Sequence, residues 1–86
     1  MLNEMTYNCR VCGLPQDDPP WGATGDAPTF DICPCCGVEF GYEDTTVEGC
    51  RNYREKWLGN GAKWFNPRQM PAGWSLENQM HVIPER

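Results

Sequence analysis

Four of the six cysteines in this 86-residue sequence have the spacing of a metal site. They form the pattern C-x2-C-x20-C-x2-C with Cys9, Cys12, Cys33 and Cys36. Two cysteines three positions apart and followed by glycine can direct both sulfurs at one ion through a tight turn, and two such turns complete a tetrahedral site. Both pairs have this glycine, in "CRVCG" and "CPCCG". The spacing therefore predicts that these four cysteines bind one metal ion.

Cys35 is the third thiol of the second pair and makes its ligands ambiguous. Pairing Cys35 with either neighbour would bring the ligands closer than the usual turn allows, whereas Cys33 and Cys36 have the required spacing. Pro34 restricts φ after the first ligand, and Gly37 frees the backbone after the second. We therefore predict that Cys35 lies at the tip of the turn, outside the ligand set.

The net charge indicates which class of partner is favoured, and the N-terminal residues indicate the compartment. The net charge of −5, from 12 acidic and 7 basic residues, disfavours nucleic acid as a partner because it has the wrong sign for neutralising phosphates. The mixed charges of "RNYREK" are typical of a solvated helix face. No apolar run reaches the roughly 18 residues of a membrane span, and "MLNEMTYNC" lacks the pattern of a secretory signal. These features predict a cytoplasmic protein.

The compartment also bears on what the cysteines do. In a reducing compartment, clustered cysteines bind metal more often than they form disulfides. A disulfide framework is the alternative for six cysteines, and it predicts a metal content near zero. So short a chain buries little apolar surface, so we expect the metal to supplement its core.

The arrangement of motifs predicts one domain over residues 1–86, with a cysteine-rich part at 1–44 and a helical extension at 45–86. Apolar residues alternate with polar ones beside both cysteine pairs and predict short hairpin strands. These residues are Met5, Tyr7, Val38, Phe40 and Tyr42. The loop "GLPQDDPPWGATGDAP" between the pairs is rich in turn residues, and we expect its Trp21 to fold back onto the core.

Two helices are predicted in the extension. Thr45 and Glu48 have the spacing of a capping box, which predicts a helix over residues 46–58 that ends at the glycines after Leu58. Ser75 is the predicted N-cap of a short last helix, which Pro84 ends.

The remaining candidate residues favour packing over catalysis. Cys50 falls on the apolar face of the first helix and is predicted to be a small core residue; the alternative is a regulatory disulfide with Cys35. His81 is the only histidine, and four thiolate ligands leave no open position on a metal, so we do not expect an enzyme. The four aromatic residues of the extension are expected to be mostly core, with an exposed remainder around "KWFNP" that anchors a partner. These residues are Trp57, Trp64, Phe65 and Trp74.

Two resemblances add to this interpretation. "YNCRVCG" and "CPCCG" resemble the metal-binding loops of rubredoxins, which bind iron and carry electrons, and zinc ribbons use the same loops. Over nearly the whole chain, "PTFDICPCCGVEFGYED", "REKWLGNGAKWF" and "PAGWSLENQ" resemble the bacterial cysteine-rich CPCC family. That resemblance implies zinc binding, with the Cys-Pro-Cys-Cys string at residues 33–36 and the upstream pair at Cys9 and Cys12, and it implies no activity.

Together these observations predict a small metal-bound α+β protein. Its expected fold is a rubredoxin-like or zinc-ribbon β-hairpin module with a helical C-terminal extension. Its expected function is to bind another protein, with a structural zinc on four cysteine thiolates. The alternative is an electron carrier with iron on the same thiolates. Oligomeric state and partner identity stay open.

Overall fold

The computed structural model describes residues 7–83. Helix α1 spans Val47–Gly59 and helix α2 spans Leu76–Gln79. Two 3-10 turns, Pro67–Gln69 and Met80–Val82, complete the regular structure of these residues. The described residues before α1 form turns, bends and irregular backbone with two isolated β-bridges. No described helix is long and apolar enough to cross a membrane.

The predicted β-hairpin module is wrong. Within residues 7–83 there is no strand, and antiparallel pairing is limited to the single bridges Asn8–Pro15 and Ile32–Glu39. The rubredoxin-like or zinc-ribbon α+β class is therefore not supported. Of the residues predicted to form strands, Met5 lies outside the described range.

Each bridge stays single because the chain turns immediately beside it. Pro15 has no N–H with which to extend a ladder. After Phe40 the backbone turns at Gly41, which has φ +97°, and Phe30 on the other side has φ +64°. The alternation of Val38, Phe40 and Tyr42 reflects one buried turn: Val38 and Phe40 are buried, whereas Tyr42 is 69% exposed.

Helix α1 agrees with the prediction to within one residue at each end. Its N-cap is Thr46, whose Oγ1 accepts a hydrogen bond of 2.9 Å from the Gly49 N–H, so Thr45 is not the cap. Cys50 and Trp57 are the buried residues of this helix, at the predicted positions. Helix α2 begins as predicted, with Ser75 as N-cap and its Oγ accepting from the Asn78 N–H at 3.2 Å.

The core is unusually rich in thiols. Twelve apolar side chains of the described residues are buried, and six of them are cysteines. The others are three small aliphatic residues and three aromatic ones: Val11, Val38, Ala62, Phe40, Trp57 and Trp64. Trp64 also packs edge to face against Trp74, with ring centroids 5.6 Å apart.

The segment after α1 lies along the second cysteine pair through backbone hydrogen bonds. The Phe65 N–H donates to the Cys35 carbonyl at 3.0 Å, and the Asn66 N–H donates to the Pro34 carbonyl at 2.9 Å. This pairing directs Trp64 into the core and leaves Phe65 62% exposed beside Gly37. Of the four aromatic residues singled out in the sequence, Phe65 is thus the exposed one.

Candidate metal centre

Four buried sulfurs meet between two tight turns, residues 9–13 (the first knuckle) and residues 33–37 (the second knuckle). The Sγ atoms of Cys9, Cys12, Cys33 and Cys36 all lie within 4.8 Å of one another. Cys9 and Cys36, and likewise Cys12 and Cys33, have sulfurs 3.7 Å apart. Four sulfurs at about 2.3 Å from one tetrahedral zinc ion would be about 3.8 Å apart. The cluster could therefore hold a metal ion.

The two knuckles have the same backbone pattern. In each knuckle, the N–H of the first cysteine donates to the carbonyl of the residue five positions later, and the glycine N–H donates to the carbonyl of the first cysteine. All four hydrogen bonds are 2.9 Å long. Gly13 and Gly37 adopt nearly the same left-handed conformation, with φ of +82° and +85°. The glycine after each pair is therefore required by the turn, as the sequence predicted.

Cys35 is outside the cluster of four sulfurs but is not solvent-exposed. It is completely buried at the turn of the second knuckle. Hydrogen bonding to Cys33, and after it to Cys35, raises the pKa of the Cys12 thiol. Cys50 is also buried, and its Sγ donates to the Asp44 carbonyl at 3.6 Å. No disulfide joins any of the six cysteines, all of which lie within residues 7–83. The structure thus shows neither the alternative disulfide framework nor a Cys35–Cys50 bond.

The electrostatics of the cluster favour a cation. Hydrogen bonding to Cys12 is the largest cause that lowers the pKa of Cys33, while mutual hydrogen bonding raises the pKa of the other three thiols. The four thiols therefore compete for the charged form. A divalent metal favours that form in all four, because its ligands are thiolates, so binding releases protons and weakens as the pH falls.

N–H groups also point at the sulfurs. The Val11 N–H lies 3.4 Å from the Cys9 sulfur, and the Gln16 side-chain amide lies 3.5 Å from the Cys33 sulfur. Such donors stabilise a thiolate and orient it for a metal. Gln16 was not singled out in the sequence, where it sits in a loop read as turn-forming.

Arg54 supports the first knuckle from helix α1. Its guanidinium donates to the Val11 carbonyl at 2.6 Å and to the Arg10 carbonyl at 3.0 Å. The interpretation of "RNYREK" as a solvated face is therefore wrong for this residue. A signal was present, because Arg54 lies on the same helical face as the buried Cys50 and Trp57.

The last helix also contacts the first knuckle. The buried side chain of Gln79 donates to the Cys12 carbonyl at 2.6 Å and accepts from the Trp74 indole N–H at 3.1 Å. The Val82 carbonyl lies so close to Gly13 that an added Cβ would be 2.2 Å away. His81, the lone histidine, is exposed and is not part of the cluster. The C-terminal segment therefore covers the cluster from the side of Cys12.

Asp44 holds the loop between the knuckles in place. Its buried carboxylate accepts from the Trp21 indole N–H at 2.8 Å and from the Gly41 N–H at 2.7 Å. The Arg10 guanidinium lies 4.0 Å from the centre of the Trp21 ring, a cation–π contact. Trp21 thus folds back onto Asp44 and Arg10, but it is not among the side chains that pack against the buried core, where it was predicted to lie.

Comparison with known proteins supplies relatives but no activity. The chain is 37% identical to uncharacterized protein YozI of Bacillus subtilis (strain 168), over 76% of this chain and 67% of that protein. It is 35% identical to uncharacterized protein YoaQ of the same organism, over 79% of this chain and 70% of that protein. The chain belongs to the family of these two proteins.

Neither relative's name gives an activity. No family model matches the chain, so its resemblance to the CPCC family stays a prediction. No solved structure matches it either.

Proposed function

We propose that the chain binds one zinc ion through the thiolates of Cys9, Cys12, Cys33 and Cys36, and that the ion is structural. The observation that carries this proposal is the convergence of four buried sulfurs from two knuckles, with two of the sulfur pairs at the separation that a tetrahedral ion requires. Zinc accepts four thiolates without a geometric preference of its own, and such closed sites are its usual structural sites.

The composition of the core supports a structural role. With six cysteines among twelve buried apolar residues, little aliphatic surface is left to stabilise the fold. Metal binding to such a site contributes on the order of 10–16 kcal/mol, most of it as folding free energy. An ion that joins the two knuckles would supply the stability that the small core lacks.

The same geometry argues for a role other than catalysis. Four protein ligands fill a tetrahedral shell, whereas metal-assisted hydrolysis needs a position for water or substrate. Three of the four cysteines are completely buried, and Cys36 is 7% exposed. We therefore propose a non-enzymatic protein whose residues around the cluster hold thiolates and exclude water.

The metal content of the protein purified from its own cells without chelators tests this proposal. We expect one zinc ion per chain and a colourless protein, since zinc has no charge-transfer bands in the visible range. One iron ion per chain with visible charge-transfer absorption would contradict the zinc assignment and favour the electron carrier. A metal content near zero would contradict the site itself.

We also propose that the protein binds another protein. Phe65 supports this role, because the residue is 62% exposed while its backbone is fixed by the hydrogen bond to the second knuckle. A rigidly held aromatic side chain loses little conformational entropy on binding and suits the centre of an interface.

Photocrosslinking in the native cells tests the interaction role. A photoreactive phenylalanine analogue at position 65 is expected to give a specific crosslinked protein partner. The same analogue at position 30 is the control, since Phe30 is also exposed, at 59%, but does not line the cavity of about 360 Å³ that Phe65 lines beside the second knuckle. Identical crosslinking at both positions, or none at position 65, would contradict the proposal.

A further inference from the structure

Both lysines of the protein line one cavity beside the second knuckle. The sequence contains two lysines, Lys56 and Lys63, and both border a cavity of about 360 Å³. Trp57, Asn60 and Phe65 also line it, and no carboxylate does. In a chain with a net charge of −5, this is a local concentration of positive charge with an apolar wall.

A second cavity continues along helix α1. It has a volume of about 390 Å³ and shares Tyr53 and Lys56 with the first. Each cavity has one strongly exposed aromatic residue in its wall, Phe65 at 62% in the first and Tyr42 at 69% in the second. Two adjoining cavities with an exposed ring in each suit an extended chain segment better than one compact small molecule.

The two adjoining cavities together form a groove. We propose that this groove binds an acidic peptide segment of the partner, with carboxylates at Lys56 and Lys63 and an apolar side chain against Phe65. The proposal rests on the interaction role proposed above and names the surface and the partner chemistry. The charges also set a direction, because the second cavity is lined by Glu43 and would repel a carboxylate there. The bound segment is therefore acidic at one end and neutral or basic at the other.

The lysines have a competing role as counter-charges for the thiolates. Over residues 7–83, however, neither ammonium group hydrogen-bonds a cysteine sulfur, and both side chains are exposed. Arg54 and the N–H donors already lie at the knuckles. The lysines are therefore available for a ligand in the groove.

The test uses two pools of fluorescein-labelled dodecapeptides and the metal-loaded full chain. In the acidic pool, Asp or Glu surrounds a fixed Leu in the first half, and in the neutral pool Asn and Gln replace them. Fluorescence anisotropy is expected to show about 2- to 30-fold tighter binding of the acidic pool, the range for two exposed ion pairs. This preference is expected to decrease as salt is added.

Charge reversal assigns the binding to the two lysines. The double variant Lys56→Glu with Lys63→Glu is expected to lose the preference for the acidic pool and to prefer a pool with Lys in place of Asp and Glu. The matched control is Arg51→Glu with Arg68→Glu, which changes the net charge equally at exposed residues that do not line either cavity. The control variant is expected to keep most of the acidic preference.

Three results would overturn the proposal. The first is equal binding of the acidic and neutral pools by the unaltered protein. The second is a loss of bound metal from the lysine double variant, which would assign the lysines to charge balance of the thiolates. The third is a partner that crosslinks at position 65 equally well with and without the lysine substitutions; that result would leave the interaction role intact while removing the acidic segment.

Discussion

Cys33→Ser is expected to abolish metal binding and to unfold the cysteine-rich part of the protein. A serine hydroxyl does not ionise at neutral pH and cannot replace a thiolate, so the site would lose a ligand. The metal contributes on the order of 10–16 kcal/mol, as much as the whole stability of an ordinary small domain. Metal analysis and near-ultraviolet circular dichroism measure the two losses. Chelation of the unaltered protein should produce the same unfolded signal, which zinc should reverse.

Cys35→Ala is the matched control for this prediction. Cys35 is as buried as Cys33, and lies in the same knuckle, but its sulfur is not one of the four that converge. We expect full metal content and a loss of about 1 kcal/mol of stability from the missing side-chain packing. If Cys35→Ala loses the metal while Cys33→Ser retains it, the ligand set is wrong.

Gly13→Ala is expected to destabilise the metal-loaded protein by about 3–5 kcal/mol. Gly13 has φ +82°, and the new Cβ would lie 2.2 Å from the Val82 carbonyl oxygen and 2.6 Å from its carbon. Either the first knuckle or the Met80–Val82 turn must shift, which would disturb the hydrogen bond between Gln79 and the Cys12 carbonyl. Urea unfolding measures the stability, and hydrogen exchange of residues 76–82 locates the change.

Gly25→Ala separates backbone strain from the steric clash. Gly25 has nearly the same conformation, with φ +83°, but no atom lies within 4 Å of the position of an added Cβ. The left-handed conformation alone is expected to cost about 1–2 kcal/mol. Equal destabilisation by both substitutions would show that the contact with Val82 does not hold the C-terminal segment against the first knuckle.

Local patterns in the sequence predicted the local structure well. Helix α1 at Val47–Gly59 and the N-cap Ser75 of helix α2 follow from capping residues and helical periodicity, which act within a few positions. The knuckles follow in the same way, since a glycine after each cysteine pair permits the left-handed turn. The alternation of apolar residues after Cys36 wrongly predicted a strand, because a buried turn can show the same alternation of apolar and polar residues.

The long-range contacts of the cluster could not be predicted from the sequence. Gln79 is 67 positions from the Cys12 carbonyl that it binds, and Arg54 is 43 positions from Val11. The residues next to a polar side chain in the sequence do not indicate a partner so far away. The helical position of Arg54 indicated only that its side chain lies on the same face as Cys50 and Trp57.

The sequence by itself determined which four cysteines could meet, since the spacing of each pair and the following glycine are local requirements of the turn. Only the tertiary structure decided how deep they lie and what surrounds them. Cys35 shows the difference: spacing excludes it from the ligand turn, but its burial depends on the segment around Phe65, which lies along the second knuckle. The burial of a residue depends on all the segments that pack against it. In the same way, the two lysines border one cavity only because α1 and the chain after it fold against the second knuckle.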